Sequence, residues 1–377
     1  LSGSGRWSAS LLRWRDRLLT DPGFQRRSLR WPIARWIARR RMRALFDLLS
    51  GFVYSQVLLA CVRLDLFERL SRSPKTAEEL ADELDLSRAS LDRLLEAAVS
   101  LGLVEHRAGA AFGLGPLGAA LLGNPAVAMM IEHHGALYTD LDDPVALLRG
   151  ERQATELGRF WAYSRNAGHE MPLAANDTRA YSELMAASQA MIADQVLAAY
   201  PLKRHRCLLD VGGGAGAFAQ AAMQQHPRLR ACVFDLPSVA ELARERFERA
   251  GLGTRGDALG GSFLHDELPA GHDLVSLVRV LHDHDDESVL EVLRAVRSAI
   301  APDGVVLIAE PMLGTRGAEP VTAAYFGFYL MAMGQGRART PETIEALLRR
   351  AGFGRVKQHR TSAPLLVRVL SARPVSS

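Results

Sequence analysis

In Leu208-Leu209-Asp210-Val211-Gly212-Gly213-Gly214-Ala215-Gly216-Ala217-Phe218 an apolar run passes through four glycines into a second apolar run. The first part predicts a strand ending at Val211. The glycines let the backbone turn tightly, and a helix is expected to begin near Ala217. Further along, residues 231–235, 273–280 and 305–310 are apolar and bounded by Gly, Pro or Asp, with helical stretches at 238–250 and 286–300 between them. Such alternation predicts a parallel sheet with helices on both faces. Residues 355–361 and 365–371 also read as strands, but the turn containing Pro364 leaves no room for a crossover helix, so one of them is expected to run antiparallel. The expected domain is α/β and Rossmann-like, a mostly parallel seven-stranded sheet with an antiparallel C-terminal strand.

Gly212-x-Gly214-x-x-Ala217 also satisfies the dinucleotide fingerprint, so the glycines leave the ligand open. Asp210 narrows the choice. A carboxylate two residues before the glycines crowds a pyrophosphate but can hold a cationic, ammonium-bearing end. Asp235, closing the next strand and followed by Leu236, suits ribose hydroxyls. A ribose with a positive tail is S-adenosylmethionine. The expected binding set is Asp210, Gly212, Gly214, Gly216, Asp235 and Leu236. Gly261, Ser262 and Phe263 at the third strand's tip, where an adenine would rest, and Arg279 on the fourth strand complete it.

The fourth strand delivers Leu281-His282-Asp283-His284-Asp285-Asp286 to the sheet edge that borders the ligand crevice. There His282 can take a hydroxyl proton while the oxygen attacks a sulfonium methyl. An imidazole pKa of about 6.5 leaves much of it neutral and competent near pH 7. Glu310, ending the fifth strand, is placed to orient that imidazole, and Asp283 is the adjacent acid. A metal held by the His and Asp side chains is the competing idea. Strand alternation, however, points His282 and His284 one way and Asp283 and Asp285 the other, and Asp285, Asp286 and Glu287 suit a helix's first turn. No metal is expected.

The N-terminal half is helical. Residues 44–70 carry leucines at helical spacing. Thr76 and Glu79 form a capping box ahead of one short helix, a second helix spans 87–101, and a hairpin follows at 103–114. Helix, helix, hairpin is a winged helix. The second helix sets Arg88 and Arg93 against Asp92 and Glu96, too neutral for a groove reader, so a protein–protein module is expected and nucleic acid is not. Residues 124–200 read as a helical connector to a domain over 201–377. The 377 residues are 48% hydrophobic and 23% charged, which excludes disorder or a collagen-like repeat. Three scattered cysteines give no disulfide framework or zinc site and fit a cytoplasmic location. No charge-free run reads as a membrane span; the longest, 108–131, is broken by Gly and Pro. Residues 1–43 hold twelve Arg against Asp16 and Asp21, a charge of +10; with +4 for the whole chain, the rest is −6. Trp7, Trp14, Trp31 and Trp36 lie in this arm. An Arg-rich, Trp-bearing amphipathic helix suits peripheral contact with an anionic membrane, and the same arm could instead pack on a partner subunit.

From about residue 44 to 371 the chain resembles the small-molecule O-methyltransferases of the caffeate and hydroxyindole type. Asp210-x-Gly212-x-Gly214-x-Gly216, Phe234-Asp235-Leu236-Pro237, Gly260-Gly261-Ser262-Phe263, Leu281-His282-Asp283 and Ala309-Glu310-Pro311 fall in that family's order and spacing. The stretches at 44–61, 143–150 and 324–333 are similar to the bacterial hydroxyneurosporene (demethylspheroidene) O-methyltransferases of carotenoid biosynthesis. The resemblance implies a class I methyltransferase domain behind a winged-helix dimerisation domain, a homodimer, and metal-independent methyl transfer with His282 as general base and Glu310 its partner. It also implies an acyclic carotenoid with a tertiary C-1 hydroxyl, whose polyene Met129, Met130, His134, Met185, Phe326 and Met331 could line. An aromatic hydroxyl or a bacteriochlorophyll ring carbon is the alternative acceptor, and a cofactor-sensing winged-helix DNA-binding regulator a remote one. Two departures matter. Where the wider family has a second glutamate in Gly-Lys-Glu-Arg-Thr, this chain has Gly336-Arg337-Ala338-Arg339-Thr340, and the usual adenine-binding acid is replaced by Gly261 or Ser262.

Overall fold

The computed structural model describes residues 4–152, 154–160 and 189–375. They form two compact units that divide between Gly123 and Asn124.

In the first unit, helices Ser4–Thr20 and Pro22–Ser28 precede a 32-residue helix, Pro32–Arg63. Pro32 at the first helical turn starts it, since its missing N–H has no partner to lose there. The long helix runs through residue 43, where the sequence suggested the arm would end. It stops at Arg63, inside the single helix expected over 44–70, because Asp65 takes a left-handed conformation (φ 50°) before Leu66–Arg72 begins. Thr76 and Glu79 close the expected capping box on Ala77–Leu84. Arg88–Ser100 follows, then strands β2 (Val104–His106) and β3 (Ala111–Leu114), which join the short β1 (Lys75–Thr76) in an antiparallel sheet of order β1-β3-β2. Leu66, Phe67, Leu80, Leu91 and Leu95 fill the core of this winged helix. By contrast Leu45, Leu48, Leu49 and Phe52 of the long helix are mostly exposed. By length and composition that helix could cross a membrane. Searching for a charge-free run overlooks it, because Asp47 and Arg63 bracket its apolar centre.

The second unit is built on seven strands: β4 (Cys207–Val211), β5 (Arg230–Asp235), β6 (Gly256–Gly260), β7 (His272–Val278), β8 (Ile300–Glu310), β9 (Phe353–His359) and β10 (Arg368–Pro374). Their order is β6-β5-β4-β7-β8-β10-β9. The first five are parallel, and β10 runs antiparallel to both neighbours. β10 starts three residues later than the apolar pattern suggests, because Leu366 and Val367 donate to the Ala363 carbonyl in a turn instead. Successive β4 residues serve opposite faces. Leu208 packs with Val196, Phe218 and Phe247, while Leu209 packs with Val275, Leu293 and Phe353. The chain leaves β4 outward through β5 and β6, then returns to lay β7 on its other side. The direction of winding therefore reverses between β4 and β7, and a crevice opens at their C-terminal ends.

Candidate active site

Gly212, Gly214 and Gly216 adopt φ of 65°, 58° and 75°, the left-handed region that a side chain would strain. A side chain at Gly216 would strike Phe247, and one at Gly213 would strike the Asp210 carboxylate, whereas Gly214 faces open space. The turn thus lies flat over Asp210 and leaves room above. Asp210 is fully buried. Its Oδ1 accepts a 2.5 Å hydrogen bond from Ser276 Oγ on β7, while its Oδ2 is buried with no partner. Burial pushes this carboxyl up to about 7, against the pull of the Ser276 bond. A buried acceptor without a donor is costly, so the residues present fit a ligand that brings a cationic donor to this crevice.

Asp235 accepts 2.8 Å bonds from the N–H groups of Gly214 and Leu236, tying the glycine turn to the end of β5. Burial raises it to about 6, with those two N–H groups opposing. Gly261 donates to the Asp235 carbonyl at 2.9 Å, and a side chain at Gly261 would collide with Phe234. Ser262 donates its N–H to Asp266 Oδ2 at 2.8 Å, a partner that sequence reasoning missed because it stands four residues on in a loop with no periodicity. Phe263 packs edge-on against His284, ring centres 5.5 Å apart. Asp210, the glycine turn, Asp235, Leu236 and Gly261 are thus linked at the C-terminal ends of β4 and β5. Arg279, just past the end of β7 with φ 59°, lies close enough to His282, Asp283 and Tyr325 for its charge to act on them.

His282 sits in a tight 3-10 turn, Leu281–Asp283, and is 6% exposed. Its Nδ1 is hydrogen-bonded to Oε2 of Glu310, itself 2% exposed, while Glu310 Oε1 accepts N–H groups from Val280 (2.9 Å) and Leu281 (2.7 Å). With Nδ1 so engaged the imidazole's orientation is set, and Nε2 is the nitrogen turned away from Glu310. Strand alternation does not hold here, because the turn swings Asp283 Oδ1 to 3.2 Å from Nε2. Burial pulls His282 down, but Asp283 and Glu310 outweigh it and hold the imidazole above its ordinary value. His284 packs on Phe263, Asp285 caps Asp286–Ala299, and Asp286 pairs with Arg339. Among the described residues no three His, Cys, Asp or Glu side chains are grouped to hold a metal ion.

Sequence reasoning treated 336–340 only for the glutamate it lacks. Here Arg339, 3% exposed, donates to the carbonyls of Leu281 (2.7 Å) and His284 (2.7 Å) and to Asp286 (2.7 Å), bracketing His282 from both sides. Arg337 N–H donates to the His282 carbonyl at 2.8 Å. Gly336 (φ 92°) leaves no space for a side chain against that same carbonyl. Ala338 packs in an apolar cluster with Leu137, Tyr329 and Leu330, where a charged residue would be unsatisfied.

The residues expected to line an acceptor pocket lie on helix Pro125–Asp140 and on the segment Pro320–Tyr325, a wide π turn that continues as helix Phe326–Met333. Phe326 stands edge-on to His282 at 6.3 Å. His134 is joined to it through Tyr325. Met129 and Met130 are partly buried on the first helix. Met331 is 36% exposed and stays outside the cluster of Tyr329, Leu330 and Met333. Met185 lies outside the described residues.

Residues 138–354 match the family model of the O-methyltransferase domain, and residues 46–124 that of the O-methyltransferase dimerisation domain. The chain is 41% identical over 355 residues to demethylspheroidene O-methyltransferase of Cereibacter sphaeroides, covering 93% of this chain and 92% of the relative. It is also 41% identical over 348 residues to the Rhodobacter capsulatus enzyme of the same name, covering 91% and 85%. Human N-acetylserotonin methyltransferase, solved in complex with SAM, superposes with a TM-score of 0.72 at 26% identity, over 89% of this chain and 98% of that one.

Proposed function

The chain belongs to the S-adenosylmethionine-dependent O-methyltransferases that carry a dimerisation domain, and from that membership we propose that it methylates the tertiary C-1 hydroxyl of an acyclic carotenoid, with His282 as general base. The observation that carries the chemistry is the buried Glu310–His282 pair at the C-terminal edge of the sheet, next to the glycine turn. The acceptor is argued from the two relatives named for demethylspheroidene and from the aromatic and apolar walls around His282.

S-adenosylmethionine supplies an electrophilic methyl group on a cationic sulfur. Asp210 Oδ2 would take its ammonium end, Asp235 its ribose, and Gly261, Ser262 and Phe263 its adenine. A tertiary alcohol is far too weak an acid to ionise beforehand, so proton removal accompanies attack. His282 Nε2 accepts the proton as the oxygen advances, and Glu310 stabilises the imidazolium that forms. Asp283, 3.2 Å from Nε2, adds negative charge where the family's second glutamate is absent. The aromatic and apolar side chains beside His282 limit water at the base, and alignment of the hydroxyl supplies much of the rate.

The dimerisation domain supports a homodimer. We assign residues 1–43 to peripheral contact with an anionic membrane on its cytoplasmic side, where a carotenoid is reached. Trp14, Trp31 (73% exposed), Ile33 and Trp36 are uncovered among arginines, and Arg40 lies over the Trp36 ring at 5.8 Å. The deciding experiment is incubation with methyl-labelled cofactor and either a 1-hydroxycarotenoid in detergent or an aromatic hydroxyl. Label should pass to the carotenoid; transfer to the aromatic acceptor alone would refute the assignment.

A further inference from the structure

Two adjacent histidines on helix Pro125–Asp140 meet two tyrosines one helical turn apart on the facing segment. His133 Nε2 lies 2.8 Å from the Tyr329 hydroxyl, and His134 Nε2 lies 2.8 Å from the Tyr325 hydroxyl. Burial lowers both imidazoles, His133 to about 4, and raises the Tyr325 phenol to about 12. At neutral pH both imidazoles are therefore uncharged and the Tyr325 phenol is protonated, so each His–Tyr pair is joined by one neutral hydrogen bond whose direction follows the imidazole tautomer. Tyr325 packs edge-on to Phe326 at 5.1 Å, and Phe326 edge-on to His282 at 6.3 Å. The His134–Tyr325 pair is thus one aromatic ring away from the base.

We propose that the His134–Tyr325 pair determines acceptor specificity: the imidazole Nε2 and the phenol hydroxyl are engaged with each other, so the wall beside His282 turns mainly aromatic faces, not free polar groups, toward an acceptor. An acceptor seated there is favoured when its reacting hydroxyl is its only polar group nearby. One with a second donor or acceptor must bury it against this wall unsatisfied, and is rejected. This inference rests on the apolar-acceptor assignment above and sharpens it. A bare aliphatic wall would also admit a polyene. A paired imidazole and phenol, however, hold two helices in register while hiding the polarity that does so.

The test compares kcat/KM for a 1-hydroxycarotenoid in micelles with that for a polar phenol bearing an amide. In the wild type the carotenoid should be preferred. Tyr325→Phe leaves the His134 nitrogen unpaired and should lower that preference by at least about tenfold, with cofactor affinity by calorimetry unchanged. The double variant His134→Leu with Tyr325→Phe removes both polar groups together and should restore the preference to within about threefold, since deleting both partners is far milder than orphaning one. If Tyr325→Phe does not fold, His134→Leu alone orphans the phenol and asks the same question. Equal loss with both acceptors, or a double variant no more selective than the single one, overturns the proposal. A wild type that prefers the phenol overturns the acceptor assignment as well, and is seen before any variant is made.

Discussion

His282 and Asp210 are both buried ionisable groups, and their environments push them to different tasks. For His282, Asp283 and Glu310 favour the protonated form, so the base must be freed by raising pH through a value above that of an ordinary imidazole. The acid limb of kcat is expected there. Glu310→Gln removes one of the two stabilising charges, so the limb should move to lower pH while the maximum rate falls; an unmoved limb would show that Glu310 does not act on the base. His282→Ala should lose about 10²- to 10⁴-fold in kcat, the usual contribution of a positioned base, with cofactor binding retained. Asp210 is the opposite case. Raised to about 7, it is increasingly protonated below that pH and then offers no charge to an ammonium group. Cofactor affinity measured by calorimetry should therefore weaken as pH falls through about 7, and Asp210→Asn should flatten that dependence.

At the level of elements, the glycine turn, strands β4 and β5 and the placing of His282 just past the end of β7 were all legible from residue type, because each is a local device: an apolar run, a residue that tolerates positive φ, a carboxylate in register. The loop 334–340 was not. Arg339 lies more than fifty residues from the carbonyls it binds, and a buried arginine among exposed ones has no mark in a linear pattern. Losing that guanidinium leaves the Leu281 and His284 carbonyls unpaired, at a cost on the order of 1–3 kcal/mol for each buried group. Arg339→Met should therefore destabilise the second unit in denaturant titration and lower kcat more than it raises KM. Equal stability to wild type would mean the loop is held otherwise. The Leu281–Asp283 turn shows the same limit: period-2 alternation separated His282 from Asp283, and a single 3-10 turn brought them to 3.2 Å.

For the whole molecule, the basic arm and the acidic remainder set the expected behaviour at membranes. The long helix begins at Pro32, so a truncation before it removes the first two helices and leaves that helix whole. A chain lacking residues 1–31 should bind anionic vesicles more weakly than the full chain, with the difference shrinking as salt is raised, and should keep its melting transition. Undiminished vesicle binding would place the contact elsewhere, the exposed apolar stretch from Leu45 to Phe52 being the next surface to examine.

Apolar periodicity, turn residues and charged side chains at strand ends suffice to specify an α/β methyltransferase sheet, a winged-helix module and the crevice with its acids and imidazole, since each depends on a residue's neighbours within a turn or a strand. Which groups are orphaned, paired or shielded depends on segments that meet only after folding. Burial leaves Asp210 Oδ2 unpartnered, Arg339 reaches across to the His282 turn, and helix Pro125–Asp140 sets its histidines against tyrosines nearly two hundred residues away. Those are consequences of close packing between distant stretches, where a hydrogen bond is made or lost by ångström-scale placement that no linear spacing encodes.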